Sequence, residues 1–139
     1  MDTDRLHCSF IQIYIMLQYA DLTYKIRGAI FKVYNHWGPG LFEQVYEESL
    51  VYQLRKEGLK VEHQLPLPVV YDGYKLPCDY RLDILVEDKV IIELKSVEEL
   101  KPVHFKQLMT YLKIADKRLG LLVNFNVDDI MRGIHRVAM

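Results

Sequence analysis

Two apolar runs, Tyr80 to Val86 and Lys89 to Val97, are separated only by Glu87-Asp88. Runs that short and that closely joined bury their apolar residues best as neighbouring antiparallel strands, and this pairing constrains the fold more than any other stretch. Side chains alternate across a strand. Val90, Ile92 and Leu94 then take one face of the second run, and Ile91, Glu93 and Lys95 the other. In the first run Leu82, Ile84 and Val86 share a face, with Arg81, Asp83 and Leu85 opposite. Asp83 and Glu93 therefore emerge from the same side of the sheet. Charges on a central strand are costly unless they are paired or bound to metal.

That cost gives the pattern a chemical meaning. Two carboxylates can hold Mg²⁺ or Mn²⁺ through oxygen while leaving positions for water and a phosphate. Lys95, two residues from Glu93, could orient the water or oppose the charge of the transition state. A plainer account also fits, in which Glu93–Lys95 and Arg81–Asp83 form an ion network on a half-exposed sheet. Glu43 and Glu47 stand four apart on one helix face beside Tyr46. Glu43 could complete a metal's coordination, or simply place a negative charge in the first helical turn, where the dipole favours it. Glu47, Glu48 and Glu57 read as solvated helix charges.

Gln107 and Tyr111 are also four apart, with His104 and Leu108 near the same face. Their amide and hydroxyl groups can hold a phosphate or a lysine without adding charge. His104 has no second histidine at ligand spacing and reads as a supporting or surface residue. Lys101, Lys106 and Lys113 read as a solvated face that could touch a nucleic-acid backbone. Most of the ten tyrosines, Tyr46, Tyr52, Tyr71 and Tyr111 among them, sit among aliphatic neighbours at core spacing rather than forming a stacking platform. Gly38-Pro39-Gly40 lacks the lysine and hydroxyl residue of a phosphate-cradling loop.

Around this centre the pattern is helix, helix, strands, helix, strands. Leu22, Ile26, Ile30, Val33 and Trp37 recur at helical spacing up to Gly38-Pro39-Gly40, and a second helix runs from about Leu41 to Glu57. Leu59 to Val70, interrupted by Pro66 and Pro68, predicts an edge or bulged strand, followed by a turn at Asp72-Gly73. Pro102 opens a helix reaching about Ala115. Leu119 to Phe125 is an apolar strand of the kind covered on both faces, Asp128 to Met131 one helical turn, and Ile134 to Val137 a last strand. The expected class is α/β (α+β), as one domain over residues 22–139. Residues 1–21 form an arm of uncertain structure. Ile11, Ile13, Ile15 and Leu17 alternate like a strand, while Tyr14, Met16 and Leu17 fit a helical turn. The arm is expected to pack on the domain or on a second copy of the chain.

A chain of 139 residues can bury a sizeable core. Its 18 Lys plus Arg against 19 Asp plus Glu exclude a histone-like binder that depends on many phosphate contacts, but not an enzyme with a local basic cleft. Cys8 and Cys78 form no CxxC pair and no zinc cluster, and the core needs no disulfide between them. The apolar stretch Phe10–Leu17 is too short to cross a bilayer, and the acidic start Met1-Asp-Thr-Asp-Arg5 is unlike a secretory signal. The expected location is cytoplasmic, with no membrane association.

At these residues the sequence resembles the GxxExxY family, a branch of the PD-(D/E)xK nuclease-like superfamily. The motif stands as Gly40-Leu-Phe-Glu43-Gln-Val-Tyr46. Asp83, Glu93-Leu94-Lys95, Gln107-xxx-Tyr111 and Gly120-Leu-Leu-Val-Asn-Phe-Asn126 follow in the family's order, over about Leu22 to Val137. Leu82 replaces the proline that gives the superfamily its name. The resemblance implies a restriction-endonuclease-like core, a central mixed sheet flanked by helices. It also implies metal ligands at Glu43, Asp83 and Glu93, with Lys95 as catalytic partner supported by Gln107 and Tyr111. The expected activity is Mg²⁺- or Mn²⁺-dependent phosphodiester cleavage of DNA, in repair or defence, by a chain able to form a homodimer. The alternatives are a non-catalytic nucleic-acid-binding or protein-interaction module that kept the fold, and a hydrolase of small phosphoesters or nucleotides.

Overall fold

Between Thr3 and Trp37 the chain has no proline and a single glycine, Gly28, so nothing interrupts a helical ladder. In the computed structural model, which describes residues 3–139 except the Cys8 side chain, the whole stretch is one helix, α1 (Thr3–Trp37). The alternation of Ile11, Ile13, Ile15 and Leu17 makes no strand. Once Leu22–Trp37 has nucleated on the core, extending the helix toward the N-terminus is cheaper than starting a strand with nothing to pair with. Met1-Asp2, part of the acidic start, lie outside the described residues. Gly38, at φ +66°, ends α1, and its N–H donates to the Tyr34 carbonyl at 2.7 Å.

The second helix is α2 (Glu43–Lys56). It is followed by β1 (Val61–Tyr71), β2 (Tyr74–Val86) and β3 (Val90–Lys95), then α3 (Pro102–Ala115), β4 (Leu119–Asn124), a 3₁₀ turn at Ile130–Arg132 and β5 (Ile134–Ala138). Both hairpins turn on two residues with positive φ, Asp72 and Gly73 in one, Glu87 and Asp88 in the other. That conformation matches the twist of the flanking strands. The five strands lie in the order β1-β2-β3-β4-β5, antiparallel except for β3 beside β4, which α3 connects as a crossover. The sheet is thus mixed and flanked by helices, as expected of a restriction-endonuclease-like core. Pro66 and Pro68 fall on β1, an edge strand, whose register shifts between Pro68 and Val70.

Two apolar layers hold the sheet. On one face Ile26, Ile30, Leu50 and Leu54 of α1 and α2 pack on Ile84, Val86, Val90, Ile92, Leu121 and Val123. On the other, Leu108 and Leu112 of α3 pack on Leu85, Ile91 and Leu122. Leu82 corrects the alternation read from sequence: it packs on the α3 side with Leu85, not with Ile84 and Val86. The cause is a paired irregularity. His63 pairs with Ile84 and Leu65 with Leu82, but Gln64 and Asp83 between them do not pair, and Gln64 takes φ +51°. Residues beyond this point change face, so Leu65, Leu67 and Leu82 join the α3 layer. The β2–β3 ladder ends in the same place, at Ile84 opposite Ile92.

Candidate active site

The glycine–glutamate–tyrosine spacing at the start of α2 has a local structural cause. Tyr46 is fully buried, stacks on Phe125 with ring centroids 4.3 Å apart, and turns its hydroxyl back to the preceding loop. That hydroxyl donates to the Gly38 carbonyl at 2.6 Å and accepts from the Leu41 N–H at 3.1 Å. Gly40 supplies the φ of +97° that the loop requires. Ser96 donates to the Leu41 carbonyl at 2.7 Å, and buried Asn124 bonds both the N–H and the carbonyl of Val97. The end of β3 and the loop leading into α2 are thereby fixed to each other. Tyr46→Phe keeps the ring stack but strands two polar groups of the loop, so it is expected to cost about 1–3 kcal/mol of stability. Urea unfolding would show this as a lower midpoint; an unchanged midpoint would mean the hydroxyl contributes nothing.

Against this frame, β2 parts from β3 at Asp83. The Leu94 N–H donates to Asp83 Oδ2 at 2.8 Å, and the Asp83 N–H donates to Glu93 Oε1 at 3.3 Å. Each carboxyl thus takes a backbone donor where the ladder has stopped. The two carboxyls also hydrogen-bond each other, with a proton shared between them. Burial, then the adjacent Asp83 charge, pushes Glu93 up to about 9. Burial also raises Asp83, against the lowering effect of the Leu94 N–H, the Glu93 hydrogen bond and the Lys95 charge. A surface ion network on a half-exposed sheet does not describe this pair: Glu93 is 5% exposed.

Lys95, half-buried, is near enough for its charge to act on both carboxyls. From α3, Tyr111 reaches the same point. It is buried, accepts a 2.7 Å hydrogen bond from Gln107 Nε2, and its hydroxyl is held above the ordinary tyrosine range by burial and then by the charge of Glu93. Tyr80 flanks it, with ring centroids 5.2 Å apart. Glu43, exposed at the first residue of α2, is near enough for its charge to act on Asp83. His104 lies apart from this group, its Nδ1 accepting from the Lys101 N–H at the cap of α3.

Glu47 is the residue that sequence reasoning misplaced. Read as solvated, it is 7% exposed, and burial raises its carboxyl, with the Asp83 charge contributing. The signal was present in the spacing: Glu47 falls within the buried arc Tyr46, Glu47, Leu50, Val51 and Leu54 of α2. Its Oε1 accepts from Gln64 Nε2 at 2.7 Å, and its Oε2 lies 3.6 Å from His63 Nδ1, with Glu48 Oε1 at 4.0 Å from the same nitrogen. Among the described residues that buried nitrogen has no hydrogen-bond partner. No sequence signal marks Gln64, because its position depends on a positive φ in a residue that rarely adopts one.

Two adjoining donor sets could therefore hold a divalent cation. Asp83 and Glu93 offer hard oxygen donors held together at the cost of a retained proton, a cost a cation would remove. Glu47, Glu48 and His63 each offer one donor atom, all within 4.8 Å of one another. Among the described residues no helix is long and apolar enough to cross a membrane. A family model, that of the PD-(D/E)XK nuclease superfamily, matches residues 20–137. No curated protein and no solved structure gives a significant match.

Proposed function

The chain belongs to the PD-(D/E)XK nuclease superfamily, whose nucleases use divalent metals, and on that premise we propose that it cleaves phosphodiester bonds in DNA with Mg²⁺ or Mn²⁺. We assign it to the GxxExxY branch and to a cytoplasmic role in repair or defence. The observation that carries the reading is the pairing of half-buried Asp83 with buried Glu93 beside Lys95, at the point where β2 leaves β3.

Asp83 and Glu93 would hold the ion, with Glu43 supplying a further carboxylate from α2. When bound, a divalent ion lowers the pKa of a water and opposes negative charge on the phosphate. The two backbone N–H groups at Asp83 and Leu94 fix the carboxyls in place, so little reorganisation is needed when charge develops. Lys95 sets its ammonium against the phosphate oxygens and orients the attacking water. Tyr111, positioned by Gln107, presents a neutral hydroxyl to the same region and adds no negative charge beside the phosphate.

Lys95→Ala tests this reading. Loss of one preorganised cation should lower cleavage about 10²- to 10³-fold while leaving the melting temperature nearly unchanged. The assay is a panel of single- and double-stranded DNA, flaps and RNA, with each divalent ion in turn. Equal rates for Lys95→Ala and wild type would remove the mechanism. Cleavage of RNA alone would reassign the substrate.

A further inference from the structure

Helix α1 carries two apolar faces, one toward its C-terminal end that its own domain covers and one toward its N-terminal end that it leaves open. Leu22, Ile26, Ala29, Ile30 and Val33 are buried against the sheet side, with Tyr19 packed against them. On the opposite side of the helix run Leu6, Phe10, Ile13, Leu17, Ala20 and Tyr24, spaced 4, 3, 4, 3 and 4 residues apart. At 100° per residue these positions lie in one stripe, about half a turn from the buried one. All are exposed: Phe10 is 69%, Leu17 64% and Tyr24 79% accessible. A helix apolar on both sides is ordinarily covered on both.

We propose that this stripe is the seam of an antiparallel two-helix coil between two copies of the chain. Alternating three- and four-residue spacing is the repeat that keeps a seam facing a partner helix. It continues for about 27 Å, and none of its six positions carries a charge that docking would have to bury. The area suffices for a stable pair. The five large side chains of the stripe expose roughly 600 Å², at the upper end of what one apolar patch on a monomer covers. Tyr14 and Met16 on its flanks, 63% and 69% exposed, bring the total near the ~800 Å² that each partner gives a standard interface.

Side-chain volume sets the direction. In a parallel pair Phe10 meets Phe10 and Ala20 meets Ala20, which overfills one layer and leaves a void in another. In an antiparallel pair Phe10 lies against the partner's Ala20, Ile13 against the partner's Leu17, and Leu6 against the partner's Tyr24. Large then meets small, as close packing requires. Ala20 and Met16 also border a groove of about 530 Å³ between α1 and the outer strands, lined by Leu119, Arg136 and Ala138, which the partner helix would partly cover.

Sedimentation equilibrium of the full chain, well above micromolar concentration, tests the seam. Wild type is expected at twice the 16.5 kDa chain mass. Ile13→Glu with Leu17→Glu is expected at the single-chain mass, with unchanged helix content, because neither side chain packs on its own domain. A monomeric wild type would overturn the proposal. So would a dimer that survives both substitutions, or a wild type that stays monomeric but adsorbs to phosphatidylcholine vesicles. For direction, Cys8→Ser and Cys78→Ser provide the background. There, Phe10→Cys with Ala20→Cys should give a covalent dimer on oxidation and Ala20→Cys alone should not; a covalent dimer from Ala20→Cys alone would overturn the antiparallel arrangement.

Discussion

Asp83→Asn is expected to lower metal-dependent cleavage by at least about 10³-fold. The effect should exceed that of Lys95→Ala, because Asp83 would hold the ion itself, whereas Lys95 acts on the water and phosphate beside it. Asparagine keeps an oxygen that can accept from the Leu94 N–H, the 2.8 Å contact that holds the strand edge, so the fold should survive. Single-turnover cleavage and a thermal melt on the same preparation separate the two effects. A variant that cleaves within tenfold of wild type would show that Asp83 does not hold the ion. A variant that unfolds would point instead to a structural role for the charge, and Lys95→Ala would then carry the test of mechanism.

The second large effect concerns stability. Glu93 titrates near 9 in the folded protein against an ordinary value of 4.5 in the unfolded chain. Between those values the folded state binds more protons than the unfolded state, so stability of the metal-free protein falls as pH rises through that window. Asp83, also raised, acts in the same direction. Glu93→Gln should remove most of this slope, because its amide can donate to Asp83 and has no proton to lose. At pH 8 in chelator the variant is expected to be more stable than wild type by about 1–3 kcal/mol, several degrees in melting temperature, while cleaving no DNA. Saturating Mn²⁺ should raise the melting temperature of wild type and not that of the variant. Parallel pH profiles for the two proteins would mean that Glu93 is not the buried acid responsible.

Much of the strand centre was legible because its signals are local. The Glu87-Asp88 turn joins β2 to β3, Pro66 and Pro68 mark an edge strand, and Pro102 starts α3. Asp83 and Glu93 meet as the turn required, although alternation alone would have put them in an ordinary ladder. The irregularity at Gln64 and Asp83 was not legible, since nothing in a glutamine announces a positive φ. With it went the true face of Leu82. Glu47 was missed because a carboxylate beside Glu48 on a helix reads as solvated; its cost of burial is offset by Gln64 and His63 from a strand that local pattern cannot bring to the helix. In α1 the alternating isoleucines spoke for a strand, and the unbroken run of helix-compatible residues to Trp37 prevailed.

Titration calorimetry of Mg²⁺ and Mn²⁺ into the folded protein, repeated in buffers of different ionisation enthalpy, addresses the Asp83–Glu93 pair most directly. At neutral pH, ion uptake by wild type should release close to one proton, because the proton held between the two carboxyls has to leave. Asp83→Asn and Glu93→Gln should each lose that proton release. Ion uptake without proton release, or no uptake by wild type with or without DNA present, would contradict the assignment of this pair as the metal site.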